Sequence, residues 1–343
     1  MKALVIGGTL FIGRHLVRRL CAAGHSVTIL HRRRGHDLGV DVDELIADRN
    51  DPTAVRNALQ GKSFDWVFDD VYDWQRGTNA EQVLAAASAL DGAVARYVFM
   101  SSIAVYGSGI DRREEDPLVG DDFPNPYARN KAATERALFA LHNQTGFPVV
   151  TLRPPFVYGP ENPYYREAFF WDRLEDGRPI IVPGDGRRLM QFVYVEDLVE
   201  AAIRAAQNPA AVGQAFNVAH PEPVTQVEFI LALAEVAGKK PQLVYLDREW
   251  IRATGGSLTT PERLYFGHYL DLEPITEVVD KAQQLLGFQP TPWLDALRET
   301  YEWYRQVRPF GKPDYRFEDE LIRSASRRPA ARQSALHSSG GSV

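Results

Sequence analysis

The chain begins with MKALVIGGTLFIG, residues 1–13, and this stretch decides its fold. The apolar run at 3–6 predicts a buried parallel strand, and apolar residues at helical spacing follow until Gly24 ends the pattern as a C-cap. Glycines between a strand and a helix allow a tight turn, and the helix N-terminus offers free N–H groups to an anion. The stretch therefore predicts a dinucleotide pyrophosphate over the turn. The turn residues expected to contact it are Gly7, Thr9, Leu10, Phe11, Ile12 and Gly13.

Strands and helices alternate through the first half of the chain. The predicted strands lie at 3–6, 26–30, 45–47, 65–68, 97–100 and 149–152. The predicted helices lie at 12–23, 52–60, 79–90 and 126–144. This alternation predicts an α/β fold, a doubly wound and mostly parallel Rossmann sheet that binds its ligands at the carboxyl ends of the strands.

The alternation breaks after Arg153, where prolines crowd a stretch that we expect to be loop-rich. Further strands are predicted at 192–195 and 215–218, and further helices at 196–206, 226–237, 278–286 and 292–305. We predict a dinucleotide-binding Rossmann domain at 1–160 to which 191–218 return, a smaller mixed C-terminal substrate lobe at 161–190 and 219–315, and a disordered tail at 324–343.

Composition narrows the class of protein. The 343 residues are 45% hydrophobic and carry a formal net charge of -6, which argues against nucleic acid or an anionic membrane as partner. The one cysteine, Cys21, excludes an intramolecular disulfide. Because no apolar run approaches the length of a membrane span, we expect a cytoplasmic protein without a membrane partner. We also expect a small-molecule substrate and no metal site. Whether it forms a homodimer stays open.

The end of the second predicted strand bears on the choice of cofactor. A carboxylate there binds the ribose 2′-hydroxyl of NAD and repels a 2′-phosphate. This chain instead has His31-Arg32-Arg33-Arg34, and guanidinium groups suit a phosphate. The sequence therefore favours NADP, with NAD and a solvated basic loop as the alternative.

A tyrosine and a lysine stand four residues apart near the start of the long predicted helix, at Tyr127 and Lys131, so both side chains lie on one helix face. Free tyrosine, with a pKa of about 10, is a poor base at neutral pH. A neighbouring ammonium favours the phenolate, which makes the pair a candidate for acid–base catalysis, with a plain helix pair as the alternative. Ser102 follows the fifth predicted strand and precedes this helix.

These segments together resemble the extended short-chain dehydrogenases/reductases, the NAD-dependent epimerase/dehydratase family, as a divergent subgroup with Leu10 in place of the usual middle glycine. The resemblance rests on the glycine turn, on Ser101–Gly107 as Ser-Ser-x-x-Val-Tyr-Gly, and on Tyr-x-x-x-Lys, and it runs to about residue 303. It implies an enzyme that transfers hydride to nicotinamide with Tyr127 as general base and acid. Ser102 would orient the reacting oxygen, and Lys131 would support Tyr127 and the nicotinamide ribose.

The resemblance also assigns further contacts. It implies a hydrogen bond from the adenine amine to Asp48, although an ordinary capping role is the alternative. The other residues expected to contact the cofactor are His31, Arg32, Arg33, Val71, Pro154 and Val157, together with Tyr127 and Lys131. The residues expected to contact the substrate are Tyr72, Ser102, Tyr106, Phe156 and Arg187.

Several positions depart from the family pattern. Phe156 and Met190 stand where UDP-sugar epimerases bind the nucleotide and the diphosphate through Asn and Arg, so a nucleotide-sugar is less favoured. Ile103 and Ala104 replace the acid and base of the 4,6-dehydratases, so we set water elimination aside. The carboxylates that follow the fourth strand, at 69, 70 and 73, are either functional or loop-capping groups.

Two classes of function remain after these departures. The first is an epimerase or reductase acting on a hydroxyl or ketone carbon of a sugar-like or other small polar substrate, and the sequence does not separate the two reactions. The second is a catalytically divergent Rossmann protein that binds RNA, similar to the chloroplast stem-loop-binding proteins. The acidic net charge and the intact Ser, Tyr and Lys set argue against RNA.

Overall fold

The computed structural model describes residues 1–327. The tail predicted at 324–343 begins inside a helix that continues to Ser326, and residues 328–343 lie outside the described part. Between Met1 and Arg327, no helix combines the length and the apolar character that crossing a membrane would need.

Elements are numbered in chain order. The strands are β1 (Lys2–Ile6), β2 (Ser26–His31), β3 (Asp43–Ile46), β4 (Phe64–Asp69), β5 (Val94–Met100), β6 (Gly109–Arg112), β7 (Val149–Arg153), β8 (Phe156–Tyr158), β9 (Pro179–Pro183), β10 (Leu189–Met190), β11 (Phe192–Tyr194), β12 (Gln214–Asn217), β13 (Val224–Thr225), β14 (Gln242–Leu246) and β15 (Ile275–Glu277). The helices are α1 (Phe11–Ala22), α2 (Pro52–Leu59), α3 (Ala80–Ala89), α4 (Pro126–Thr145), α5 (Glu167–Glu175), α6 (Val195–Gln207), α7 (Gln226–Ala237), α8 (Arg248–Ala253), α9 (Asp280–Leu286), α10 (Trp293–Val307) and α11 (Arg316–Ser326).

The central sheet of the described chain has seven strands in the order β12-β7-β5-β4-β1-β2-β3, and every neighbouring pair is parallel. This confirms the predicted doubly wound Rossmann sheet. Ile6 at the end of β1 pairs with Leu30 on one side and with Asp69 on the other. The carboxyl ends of β1, β2 and β4 are therefore level, and the segments that follow them emerge at one edge of the sheet.

The sheet is buried on both faces, because helices cover a parallel sheet on either side. Leu4, Val67, Phe99 and Val149 lie in its core and are at most 1% exposed. Such strands read as continuous apolar runs, which is why the sequence pattern located them closely.

The chain divides into two compact units. The first comprises Met1–Pro163, Gln191–Pro223 and Ile275–Trp293 and contains the central sheet. In the same unit β8 pairs with β11, and β6 pairs with β15, both in parallel.

The second unit comprises Tyr164–Met190, Val224–Pro274 and the described part of Leu294–Val343. It contains the parallel pair β9–β14 and the antiparallel pair β10–β13. Helix α5 lies in the stretch that we expected to be loop-rich, and its residues from Glu167 to Leu174 are all buried. A helix buried all round lacks the one-sided apolar stripe that marks amphipathic helices, and flanking prolines hid it further.

Candidate functional site

The glycine turn between β1 and α1 is closely packed. Gly7 has a φ of 99°, and a Cβ at this residue would lie 2.5 Å from Cγ2 of Val71. A Cβ at Gly13 would lie 2.3 Å from the backbone oxygen of Gly7. Only glycine at both positions lets the helix start this close to the strand, and Val71 covers the turn from the end of β4.

The N-terminus of α1 fits an anionic group. Its N-cap residue is Leu10, whose apolar side chain cannot accept hydrogen bonds from the first-turn N–H groups. Leu10 is 62% exposed, and the turn continues through Phe11, which has a φ of 36°. The carbonyl oxygen of Thr9 accepts hydrogen bonds of 3.2 and 3.3 Å from the Arg14 guanidinium. A helix N-terminus of this kind can bind an anion through its first-turn N–H groups and its dipole. The diphosphate contact predicted at this turn stays a prediction.

Asp70, directly after β4, is placed against the same turn. Its backbone N–H donates to Ile6 O at 3.1 Å. Desolvation raises the pKa of its carboxyl to about 7, while the charge of Lys131 and the backbone N–H of Gly13 act in the opposite direction. The carboxyl is thus a titratable group beside the predicted diphosphate position.

The basic segment after β2 is organised by a carboxylate from β3 that the sequence did not indicate. Glu44 lies 2.6 Å from Nε2 of His31 and accepts the backbone N–H of Gly35 at 2.9 Å. The Gly35 N–H is the largest cause that lowers the pKa of the Glu44 carboxyl. Arg32 and Arg33 are exposed, so their guanidinium groups face solvent at the end of the strand.

Asp48, expected at the adenine amine, is held in an ion pair in the structure. Both of its carboxylate oxygens lie about 3 Å from Nη2 of Arg76, at 3.0 and 2.9 Å. Oδ1 also accepts the backbone N–H of Asn50 at 3.0 Å. Arg76 was missed because nothing in its local sequence marks it as a partner of Asp48.

Helix α4 begins in a way that fixes the catalytic candidates. Oδ1 of Asn125 accepts the backbone N–H of Tyr127 at 3.0 Å, and Pro126 occupies the first turn, where it needs no N–H donor. Tyr127 is half-buried and Lys131, one turn later, is 5% exposed. Nζ of Lys131 lies 5.9 Å from the centre of the Tyr127 ring.

Lys131 is anchored to the central sheet. Its Nζ donates to the backbone oxygen of Met100 at 2.6 Å and lies 4.7 Å from the centre of the Phe99 ring. Desolvation lowers the pKa of the ammonium to about 8, although the carboxyls of Asp70 and Asp69 favour its charged form. The bond places the charged end of Lys131 at the carboxyl end of β5, two residues before Ser102.

Ser102 is 7% exposed and is the N-cap residue of the 3-10 turn Ile103–Tyr106. Its Oγ accepts the backbone N–H of Ala104 at 3.2 Å, which leaves its own O–H to donate elsewhere. The neighbouring Ser101 instead donates inward to Glu135. The structure thus brings Tyr127, Lys131 and the strand end bearing Ser102 together.

Two aromatic side chains flank Tyr127. The ring of Tyr72 meets it edge-on, with centroids 4.7 Å apart, and the ring of Trp74 stacks on it at 4.8 Å and 25°. The Tyr72 hydroxyl accepts a hydrogen bond of 3.2 Å from Asn130. Tyr72 was expected at the substrate, whereas Trp74 was missed because the sequence does not reveal which face of the loop meets α4.

The predicted substrate contact of Tyr106 is not supported by the geometry. Tyr106 is 5% exposed, and its hydroxyl donates to Oδ1 of Asn217 at 2.6 Å while accepting from Arg153 at 2.7 Å. Arg153 also forms a buried ion pair with Glu135 at 2.6 Å. Burial raises the pKa of the Tyr106 phenol. The family motif gave the residue type but not that its hydroxyl points into the protein.

The segment after β7 contains three of the residues that the resemblance placed at the cofactor or the substrate, namely Pro154, Val157 and Phe156. Pro154 is buried, and its carbonyl accepts the N–H of Ile103 at 3.0 Å. Val157 is 7% exposed on β8, and the half-buried ring of Phe156 packs on Phe192 with centroids 5.6 Å apart. Arg187 belongs to the second unit, where its side chain is exposed and its backbone N–H donates to Asp185.

The other carboxylates after β4 have structural partners. Asp69 forms a buried ion pair with Arg49 and accepts the hydroxyl of Tyr97 at 2.5 Å. Asp73 accepts the backbone N–H groups of Gln75 and Arg76, each at 3.0 Å. Within residues 1–327, no group of three or more His, Cys, Asp or Glu side chains is placed to hold a metal ion.

Comparison with known proteins identifies relatives that cover most of the chain. The model of the NAD dependent epimerase/dehydratase family matches residues 3–219. The chain is 28% identical over 305 residues to the chloroplast stem-loop binding protein of 41 kDa b of Arabidopsis thaliana, covering 84% of this chain and 75% of the relative. It is 30% identical over 256 residues to a 2-alkyl-3-oxoalkanoate reductase of Stenotrophomonas maltophilia, covering 69% and 76%. Among solved structures, the UDP-glucose 4-epimerase of Thermus thermophilus in complex with NAD is 26% identical, with a TM-score of 0.70 and coverage of 89% of this chain and 99% of that chain.

Proposed function

The chain belongs to the NAD dependent epimerase/dehydratase family, and from that premise we propose that it is an NADP-dependent epimerase or reductase. Its substrate carries a hydroxyl or ketone carbon and is a sugar-like or other small polar molecule. The family membership confirms the resemblance found in the sequence and makes the chain an NAD(P)-dependent enzyme of the extended short-chain dehydrogenase/reductase type.

The residues at the first strand end fit a dinucleotide. Gly13 permits close approach of α1 to β1, and the helix begins with N–H groups that the Leu10 side chain cannot satisfy. NADP is the proposed form because Arg32, 64% exposed at the end of β2, presents a guanidinium where a 2′-phosphate has to be held. A bound nicotinamide supplies the acceptor and donor of hydride.

Tyr127 is the proposed general base and acid. In the oxidative direction its phenolate oxygen takes the proton of the substrate hydroxyl as the hydride leaves the same carbon, so a ketone results. In the reductive direction the phenol returns the proton to the oxygen. Lys131 stabilises the phenolate by its positive charge, and Ser102 donates a hydrogen bond to the reacting oxygen.

The observation that carries this proposal is the anchoring of Lys131. Nζ is bonded to Met100 O at the end of β5 and lies 5.9 Å from the Tyr127 ring. Burying the ammonium of Lys131 removes its hydration, which costs free energy. If Tyr127 and Lys131 were only a structural pair on the helix surface, the ammonium would not need to be buried at the end of β5. A positive charge placed beside a phenol at the carboxyl ends of parallel strands is what proton transfer at that edge requires.

The names of the relatives provide the first substrates to test. One is UDP-glucose, from the epimerase of Thermus thermophilus, and the other is a 2-alkyl-3-oxoalkanoate, from the reductase of Stenotrophomonas maltophilia. Phe156 and Met190, both apolar, favour a substrate without a diphosphate. We therefore expect the second compound class to be turned over better than the first.

The test separates the two reactions by following cofactor and product together. A reductase consumes one NADPH for each product formed, which the absorbance of reduced nicotinamide reports. An epimerase forms product without net change in the cofactor, which chromatography of the sugar reports. Mass spectrometry of the nucleotide that co-purifies identifies the cofactor, and co-purified NAD with no NADP binding would overturn the NADP proposal.

RNA binding is the second candidate, because the stem-loop binding relative covers 84% of this chain. The net charge of -6 opposes it, since phosphate contacts require clustered cations. Salt-sensitive binding of an RNA stem-loop, as tight as binding of the nucleotide cofactor, is the result that would favour it. The cytoplasmic location stays a prediction, and light scattering tests whether the chain forms a homodimer.

A further inference from the structure

The segment that joins β4 to α3, residues 71–77, touches both ends of the proposed site. Tyr72 and Trp74 contact the ring of Tyr127. Between them in the chain, Asp73 contacts Arg32 and Arg76. One short segment therefore connects the residue proposed at the 2′-phosphate with the residue proposed at the reacting carbon.

Asp73 stabilises the backbone conformation of this segment, in part through one of its two carboxylate oxygens. Oδ1 accepts the backbone N–H groups of Gln75 and Arg76, and the carbonyl of Asp73 accepts the N–H of Gly77 at 2.7 Å. Its own N–H donates to Oγ1 of Thr78 at 3.0 Å. The side chain of Asp73 is 11% exposed. The backbone on either side of Trp74 is thus fixed by hydrogen bonds that converge on Asp73.

The other oxygen, Oδ2, contacts two guanidinium groups. Arg76 donates to it at 2.7 and 2.9 Å, which is a short and firm contact. Nη1 of Arg32 lies 3.5 Å from the same oxygen and is therefore held weakly. Of the two arginines, Arg32 is the one that a competing anion can draw away from Asp73 more easily, because its side chain is also more exposed than that of Arg76.

We propose that Asp73 is a positioning residue that makes the contact of Trp74 with Tyr127 depend on what Arg32 binds. This inference rests on the proposed function, in which Arg32 holds the 2′-phosphate of NADP. A phosphate dianion attracts Arg32 more strongly than the single charge of Asp73 does. When Arg32 leaves Oδ2, the balance of cations on Asp73 changes, and Trp74, the next residue in the chain, changes its contact with Tyr127.

The consequence for the reaction is a discrimination between cofactors in turnover as well as in binding. The 2′-phosphate does not reach the reacting carbon, so without this link NADP and NAD would differ in affinity alone. With the link, we expect the two cofactors to differ in kcat by about two- to fivefold, which corresponds to one exposed ion pair. Asp73→Asn should remove that kcat difference.

The test uses adenosine 2′,5′-bisphosphate and adenosine 5′-monophosphate with the full-length chain. The two probes differ only in the 2′-phosphate, and neither has a nicotinamide that could touch Tyr127. The chain has six tryptophans, so the signal of Trp74 is taken as the difference in emission between the wild type and Trp74→Phe. We expect the bisphosphate to change this difference and the monophosphate to leave it unchanged.

Two variants of Asp73 separate its two oxygens. Asp73→Asn keeps an oxygen that accepts the N–H groups of Gln75 and Arg76 but removes the charge that holds Arg32. Asp73→Ala removes both. We expect the Asn variant to bind the bisphosphate, measured by calorimetry, yet to lose the Trp74 response, whereas the Ala variant also shows altered Trp74 emission without any probe.

Each other outcome contradicts a specific part of the proposal. If the bisphosphate binds the wild type without changing the Trp74 signal, the coupling is wrong while the NADP proposal stands. If the response persists in Asp73→Asn, Asp73 is not the residue that transmits it. If both probes bind equally, Arg32 holds no 2′-phosphate, and the proposed cofactor is wrong together with the coupling.

Discussion

The indole ring of Trp74 stacks on the phenol ring of Tyr127, with 4.8 Å between the ring centroids and 25° between the planes. Tyr72 packs against the same phenol at 4.7 Å and 90°. Trp74 remains 53% exposed, so the stacked rings lie at the protein surface and not in the hydrophobic core. The proposed catalytic ring is therefore held by aromatic contacts from the segment after β4, and its orientation does not rest on helix α4 alone.

Tyr127→Phe should abolish turnover while leaving cofactor affinity nearly unchanged. The substitution keeps the ring that packs on Tyr72 and Trp74 and removes only the oxygen that exchanges the proton. Loss of a general base typically costs about 10²- to 10⁴-fold in rate. Steady-state kinetics and calorimetric titration with NADP measure the two effects. Turnover close to that of the wild type would exclude Tyr127 as base and acid.

Removing the charges of Arg32 and Arg33 should weaken NADP more than NAD. Both guanidinium groups are exposed at the end of β2, where they can hold a 2′-phosphate. For Arg32→Gln with Arg33→Gln we expect about a tenfold or larger loss for NADP, since charge-assisted hydrogen bonds contribute about 1.5–3 kcal/mol each. Equal losses for the two cofactors would show that the basic segment is only solvated.

Activity should fall as the pH rises through about 8, because Lys131 then loses its proton. The sign follows from the charge: the ammonium stabilises the Tyr127 phenolate only while it is protonated, and desolvation has moved its pKa down towards neutrality. The pH profile of kcat/KM measures this. Lys131→Arg, whose guanidinium stays charged, should lose the alkaline decline in whatever activity it retains. An unchanged decline in that variant would assign it to another group.

Asp70 should make cofactor binding weaker at high pH. Its pKa is raised to about 7, so the carboxyl is neutral below that value and negative above it, beside the predicted diphosphate. Affinity for NAD, which has no 2′-phosphate titrating near pH 6, should therefore decrease from pH 6 to pH 8, with a change of up to about tenfold for one repelling charge at short range. Asp70→Asn should bind NAD with little dependence on pH over this interval. A variant that keeps the wild-type dependence would contradict the assignment.

The sequence predicted the sheet and the glycine turn because each depends on local patterns, namely apolar runs and glycine positions, and it also predicted helix α4, at 126–144. It could not predict which side chains meet across elements. Glu44 reaches His31, and Trp74 reaches Tyr127, only through strand register and loop conformation. Tyr106 shows the same limit, since its motif is intact while its hydroxyl bonds inward to Asn217.

Gly13→Ala should prevent cofactor binding and destabilise the first unit. The added Cβ would lie 2.3 Å from the backbone oxygen of Gly7, and a backbone atom cannot move aside as a flexible side chain can. Overpacking of this kind costs about 1–3 kcal/mol. The control is Gly120→Ala, where the Cβ meets only the Asp122 carboxylate at 3.0 Å on an exposed loop. Thermal unfolding and NADP titration should separate the two variants, and equal behaviour would refute the packing argument.

Glu135→Gln should destabilise the fold far more than Arg136→Gln, although the two residues are adjacent on α4. Glu135 is fully buried and neutralises the buried guanidinium of Arg153, which it meets at 2.6 Å. Removing one partner of such a pair leaves an uncompensated charge and costs about 3–5 kcal/mol. Arg136 forms an exposed pair with Asp121 at 2.8 Å, which contributes about 0–1 kcal/mol. Urea unfolding of both variants measures the difference. If the two midpoints shift by similar amounts, the Arg153 network is not what holds β7 against α4.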